Sequence, residues 1–114
     1  MLTYAVGAHY PPPILCNGDS VQQLAGSGLP LGLFPDAKYE EHVVALQQCF
    51  SLVAVSDGIL EILPASDLVA KEARLQQEVV AAAGQLDVLI ERLGLLKVRD
   101  VPDDIALLMI KRDE

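Results

Sequence analysis

The spacing of apolar residues changes period after Asp57-Gly58, and that change fixes most of what the chain can fold into. Before it, the apolar stretches are short and are cut by Pro, Gly and Asn. After it, Leu68, Leu75, Val79 and Ala82/Ala83 recur at the interval of one helix face. An α/β or α+β domain is the prior for so aliphatic a composition, and strands, two helices and a closing strand make α+β the expectation. The 114 residues are 52% hydrophobic with 4% aromatic and no Trp, so the core is an aliphatic one of Val, Leu, Ile and Ala. A mean hydropathy of +0.35 is enough for one core at this length.

Leu2 to Tyr10 reads as a strand, stopped by Pro11-Pro12-Pro13, which have no N–H to give to a ladder. Ile14-Leu15-Cys16 resumes as a second strand, Asn17-Gly18-Asp19 is a turn, and Val21 to Leu24 returns, so the opening is expected to be a β-meander. Gly26 to Pro35 is too rich in Gly and Pro for regular structure and is expected to be a loop packed through Leu29, Leu31, Leu33 and Phe34. Tyr39 to Leu46 and Phe50 to Ser56 read as strands joined by Gln47-Gln48-Cys49, a link short enough to imply antiparallel pairing.

The first helix has Ser66 or Asp67 as its N-cap and Gly84 as its stop. A second runs from Leu86 to Leu93 and ends at Gly94. Ile105 to Ile110 is an apolar run of strand length that closes the order. No repeat or linker divides residues 1–114.

Sixteen acidic residues against eight basic ones give a net charge of −8, and no basic cluster is longer than Lys111-Arg112. Nucleic acid is excluded as a partner, because a phosphate backbone needs a basic footprint. No apolar run approaches the length of a membrane span, and the first residues lack the basic and apolar regions of a secretory signal, so a cytoplasmic location is expected. Cys16 and Cys49 lack metal-site spacing and are expected to be buried free thiols.

Asp57 lies where one strand ends, and Asp103 and Asp104 lie where the last one begins. If those two strands are antiparallel neighbours, Asp57 meets Asp103 or Asp104 at one edge of the sheet. Carboxylates gathered in this way raise each other's pKa unless a cation sits between them, and hard oxygen donors favour Mg²⁺ or Mn²⁺. By spacing alone, Asp-Gly is also a common turn and Asp103-Asp104 a solvated loop.

Four phrases carry a resemblance. Leu2-Thr3-Tyr4-Ala5-Val6-Gly7-Ala8-His9-Tyr10-Pro11-Pro12-Pro13, Gly28-Leu29-Pro30-Leu31-Gly32-Leu33-Phe34, Val55-Ser56-Asp57-Gly58-Ile59-Leu60-Glu61 and Asp103-Asp104-Ile105-Ala106-Leu107-Leu108 follow one another in order. The sequence resembles the C-terminal half of the SpoIIE/RsbU-type, PP2C-like serine/threonine phosphatase domain. That resemblance implies part of an α-β-β-α sandwich in which two Mn²⁺ or Mg²⁺ ions between the sheets supply the water that attacks a phosphoserine or phosphothreonine.

By the same resemblance Asp57 and Asp103 match metal ligands, Gly58 gives the turn that aims Asp57 inward, and Asp104 supports the ligands from behind. His9 matches a histidine that could orient phosphate, although a packed histidine beside the proline run is the plainer reading. Glu61 and the Gly28 to Phe34 loop read as scaffold.

The implied function is removal of phosphate from a regulatory phosphoprotein, such as an anti-sigma-factor antagonist, in bacterial sigma-factor or stress regulation. The sequence departs from the pattern at Val6-Gly7-Ala8, where an Asn is replaced, at the extra Tyr10, and at Ala106, where a Thr is usual. These departures keep open a non-catalytic output domain that binds a sigma factor or its regulator, as in RssB-like response regulators. The family's first half, with its other metal carboxylates, has no counterpart here, and a sheet left without it is expected to expose an apolar edge that favours a homodimer.

Overall fold

A computed structural model describes residues 1–26, 28–97 and 104–113. Strands β1 (Leu2–Tyr4), β2 (Ile14–Asn17), β3 (Ser20–Gln23), β4 (His42–Val44) and β5 (Phe50–Val55) come first. Helices α1 (Gly58–Ile62), α2 (Leu68–Ala82) and α3 (Leu86–Arg92) and a 3₁₀ turn at Leu95–Lys97 follow, and β6 (Leu107–Arg112) comes last. The α+β order is therefore as the sequence implies, with the short α1 added where too few residues exist to show a period.

β3, β2, β5 and β6 form an antiparallel sheet in that order. The β2–β3 hairpin turns at Gly18-Asp19, with Gly18 at φ 62°, a backbone that a residue with a Cβ rarely adopts. β5 is central, pairing Val53 with Ile14 on one side and with Met109 on the other.

Two expected pairings are corrected. β4 does not fold back on β5; it pairs with β1, Tyr4 opposite His42, in a separate two-stranded ribbon. The opening is accordingly not a continuous meander, because β1 and β2 lie in different sheets.

The segment between β4 and β5 is held from two sides instead of forming a hairpin turn. Asn17 donates from Nδ2 to the Ala45 carbonyl at 2.7 Å and accepts from the Gln47 N–H at 2.6 Å. Arg112 donates to the Gln48 and Gln47 carbonyls at 2.7 and 2.8 Å. Polar side chains reaching in from β2 and β6 thus override the preference of a short link for local pairing.

The helices cover one face of the sheet. Ile14, Val53 and Val55 are buried against Ile59 and Leu60 of α1, Leu75, Val79 and Ala82 of α2, and Leu89 of α3. α2 begins at Asp67, whose carboxylate accepts the Ala70 N–H at 2.8 Å. It ends through Ala83 at φ 50° and Gly84 at φ 76°, so Ala83 serves as the cap and only Ala82 packs inward. Glu78 of α2 is buried and accepts from Arg74 Nε at 3.1 Å and from Arg92 Nε of α3 at 2.8 Å, tying the two helices together.

The ribbon lies over the other face. Leu2 and Tyr4 of β1 share a cleft of about 270 Å³ with Leu24, Leu52 and Ala54. Leu29, Leu31, Leu33 and Phe34, expected to pack the loop inward, are exposed, Leu31 by 74%. Leu31 leans on Gly7. Nor are both thiols buried: Cys16 is half-buried in a cleft beside Ser51 and Val80, and Cys49 is exposed, with its Sγ 3.3 Å from the Asp113 carbonyl.

Candidate functional site

β5 and β6 are antiparallel neighbours, as the convergence of their acidic ends requires. The ladder runs from Phe50↔Arg112 to Val55↔Leu107, and one step further the Ser56 N–H donates to the Ala106 carbonyl at 3.0 Å. Asp57 therefore leaves β5 at the end of the sheet where the chain from Asp104 enters β6. The structure brings Asp57, Gly58 and Asp104 to that one end. Asp103 lies outside the described residues.

Asp57 is the N-cap residue of α1 but sits in helical conformation, with φ −65° and ψ −18°, and its carboxylate makes no capping hydrogen bond. An acidic side chain at a helix start normally closes one of the open N–H groups. Here it is exposed and keeps its oxygens for another donor or a cation. Asp104 is exposed as well.

Gly58 has a different part from the one expected. It is buried as the first residue of α1, outside the positive-φ glycines, so the feature after Asp57 is a helix start rather than a tight turn. Asp57 consequently points to the exposed end of the sheet and not into the core. His9 is exposed on the wall of the inter-sheet cleft with Ala54, three residues before Asp57 in β5, and follows Ala8 at φ 59°. It is not the packed histidine of the plainer reading.

Sequence reasoning missed Ser56. Its N–H continues the ladder to Ala106, its carbonyl accepts the Ile59 N–H at 3.2 Å to begin α1, and its Oγ accepts the Ala106 N–H at 2.8 Å. The Oγ also donates to the Asp104 carbonyl at 3.2 Å. A hydroxyl residue at the junction of a strand and an Asp-Gly pair was the available signal, since such side chains compete for backbone groups where regular structure ends.

Among the described residues, no three His, Cys, Asp or Glu side chains gather as a metal site. The carboxylates at this end nevertheless fit a divalent cation in kind: they are hard oxygen donors on the exposed rim. Mg²⁺ is commonly held by one or two protein carboxylates, with water and phosphate oxygens completing its shell.

The family profile described as Stage II sporulation protein E (SpoIIE) matches residues 1–113. The chain belongs to the SpoIIE family. Over 97% of its length it resembles the crystal structure of the RsbU and RsbW domains of Rv1364c from Mycobacterium tuberculosis, with TM-score 0.73 and 27% identity. It also resembles the phosphatase domain of the cell fate determinant SpoIIE from Bacillus subtilis, with TM-score 0.66 and 21% identity over 97% of the chain. A larger SpoIIE structure containing the PP2C phosphatase domain gives 0.67 and 18%.

The α+β fold with its antiparallel sheets is thus that of PP2C phosphatases. The chain spans 33%, 50% and 34% of the lengths of those three structures. No curated protein matches its sequence. Among the described residues, no helix is long and apolar enough to cross a membrane.

Proposed function

We propose that this chain is the C-terminal half of a Mn²⁺- or Mg²⁺-dependent protein serine/threonine phosphatase domain that acts on a regulatory phosphoprotein in sigma-factor control. The observation that carries the reading is the β5–β6 pairing, which sets Asp57, free of any capping role, at the same end of the sheet as Asp104. Asp57 would hold the cation together with Asp103 and with carboxylates from the preceding half of the domain. When bound, such a cation supplies an activated water and neutralises phosphoryl oxygens. The chain's own contribution is to hold Asp57 on the rim, where a phosphorylated segment can reach it.

The sheet's second face supports the reading of a half domain. Leu108 and Ile110 of β6 are 59% and 50% exposed, and β6 is the outermost strand, so apolar surface and unpaired backbone remain for further strands to cover. A second copy of the chain is the other occupant that would suit it.

The test is phosphate release from a phosphoserine peptide in the presence of Mn²⁺, by the chain alone and by the chain mixed with the N-terminal half of a SpoIIE-family phosphatase domain. Activity is expected in the mixture. Asp57→Asn is expected to lower it about a hundredfold or more, because a metal contributes several kcal/mol of charge stabilisation. Activity indifferent to Asp57→Asn and to a chelator would rule the reading out.

The second reading is a binding module for a sigma factor or its regulator. Ala106 and the altered segment before His9 favour it. It predicts partner binding that survives both Asp57→Asn and chelation.

A further inference from the structure

In an antiparallel ladder, two residues facing each other as a hydrogen-bonded pair exchange both N–H···O=C bonds. Ser56 and Ala106 form such a pair with one half replaced. The Ser56 N–H donates to the Ala106 carbonyl at 3.0 Å, but the Ala106 N–H goes to Ser56 Oγ at 2.8 Å and not to the Ser56 carbonyl. That carbonyl has turned away to accept the Ile59 N–H of α1 at 3.2 Å. The hydroxyl therefore stands in for the backbone at the point where β5 becomes a helix, and its own proton goes to the Asp104 carbonyl at 3.2 Å.

The consequence concerns spacing. Asp57 follows Ser56 directly, and Asp104 is the residue whose carbonyl the hydroxyl holds. This side chain thus adds to the backbone bond in setting the two acidic backbone positions relative to each other across the open end of the sheet. Without it, the Ala106 N–H loses its acceptor and the Asp104 carbonyl loses this donor, while the Ser56 carbonyl is still committed to α1. The Ser56 N–H still holds the Ala106 carbonyl, but the start of β6 is restrained less closely beside Asp57.

We propose that Ser56 is a positioning residue: its hydroxyl clamps the start of β6 to the end of β5 and so sets the affinity of the Asp57 rim for a divalent cation. This rests on the reading of Asp57 as a metal ligand, but the clamp has its own readout. Residues that orient metal ligands from behind commonly change affinity by about 10- to 100-fold when removed.

The experiment uses the chain as wild type, Ser56→Ala, Ser56→Thr and Asp57→Asn, each mixed with the N-terminal half of a SpoIIE-family phosphatase domain. Mn²⁺ uptake is followed by electron paramagnetic resonance and amide exchange by NMR. Ser56→Ala is expected to weaken Mn²⁺ binding about tenfold and to speed exchange of the Ala106 amide by a similar factor. Ser56→Thr, which keeps the hydroxyl, is expected to restore both.

Equal Mn²⁺ affinity in wild type and Ser56→Ala overturns the proposal, as does a loss in Ser56→Ala that Ser56→Thr does not restore. If the wild type takes up no more Mn²⁺ than Asp57→Asn, the metal reading of Asp57 fails and the affinity part of the proposal falls with it. Ala106 exchange that is faster in Ser56→Ala and restored in Ser56→Thr then still upholds the clamp, and unchanged exchange overturns that too.

Discussion

On the helix side of the four-stranded sheet, Ile14, Val53 and Val55 are buried, and Leu107 and Met109 of β6 pack against the same cluster. On the other side, cover thins from one strand to the next. Leu15 of β2 is fully buried, Leu52 beside it on β5 is partly so, and Ile110 beside Leu52 on β6 is half exposed. The residues are equally apolar on both faces, so hydrophobicity does not account for the difference. What differs, among the described residues, is the cover: three helices on one side, and on the other a two-stranded ribbon that reaches β2 and β5 and leaves Leu108 and Ile110 of β6 about half exposed. The helix side is a finished core, and the ribbon side is surface suited to an interface.

Truncation tests that contrast most strongly. Leu89→Ala removes a fully buried side chain from the helix side and is expected to cost about 2–5 kcal/mol in urea unfolding, whereas Ile110→Ala should cost about 0.5 kcal/mol. Comparable losses at the two positions would mean that something covers β6 in solution, and dilution of the sample would then distinguish a second copy.

A smaller effect sharpens the account of the helix layer. Glu78→Gln keeps the shape of the buried side chain but removes the charge that Arg74 and Arg92 share. A loss of about 1–2 kcal/mol is expected, discounted because both arginines are half exposed and shrinking in high salt.

The smallest expected effect concerns the thiols. Burial pushes the Cys16 thiol above its ordinary range, with a hydrogen bond to Ser51 acting the other way. Its folded pKa being raised, the stability linked to the neutral thiol is present below the ordinary thiol range and is lost as pH climbs through the raised value. Iodoacetamide labelling at increasing pH should modify the exposed Cys49 first and reach Cys16 only at more alkaline pH or on unfolding. Equal rates would show that the cleft around Cys16 is open.

The parts legible in the sequence are those whose signals are local. Asn17-Gly18-Asp19 marks the β2–β3 hairpin, Asp67 and Gly84 bracket α2, and Leu86 to Gly94 outlines α3. The partner of β4 was not legible, because a short link favours a hairpin and residues distant in sequence, Asn17 and Arg112 among them, hold that link away from one. The loop leucines misled as well: an apolar loop normally packs inward, and here Leu29, Leu31, Leu33 and Phe34 stay exposed. At the candidate site, Asp57 and Asp104 were legible as strand ends. Ser56 was not, since its role depends on a carbonyl turning from one element to the next.

β5 lies at the centre of the sheet, and neither of its neighbours is close to it in sequence. β2 precedes it by β3, the long loop and β4, and β6 follows only after three helices. Neither edge can therefore be closed by a local event, and each pairing carries the entropic cost of a long loop. The helices are free to form early and then wait, while the most apolar strand pair stays open to wrong partners. The hazard for this chain is thus one of timing: an interval during folding in which β5 can stick to another molecule, limited by how soon Leu107 to Arg112 arrives.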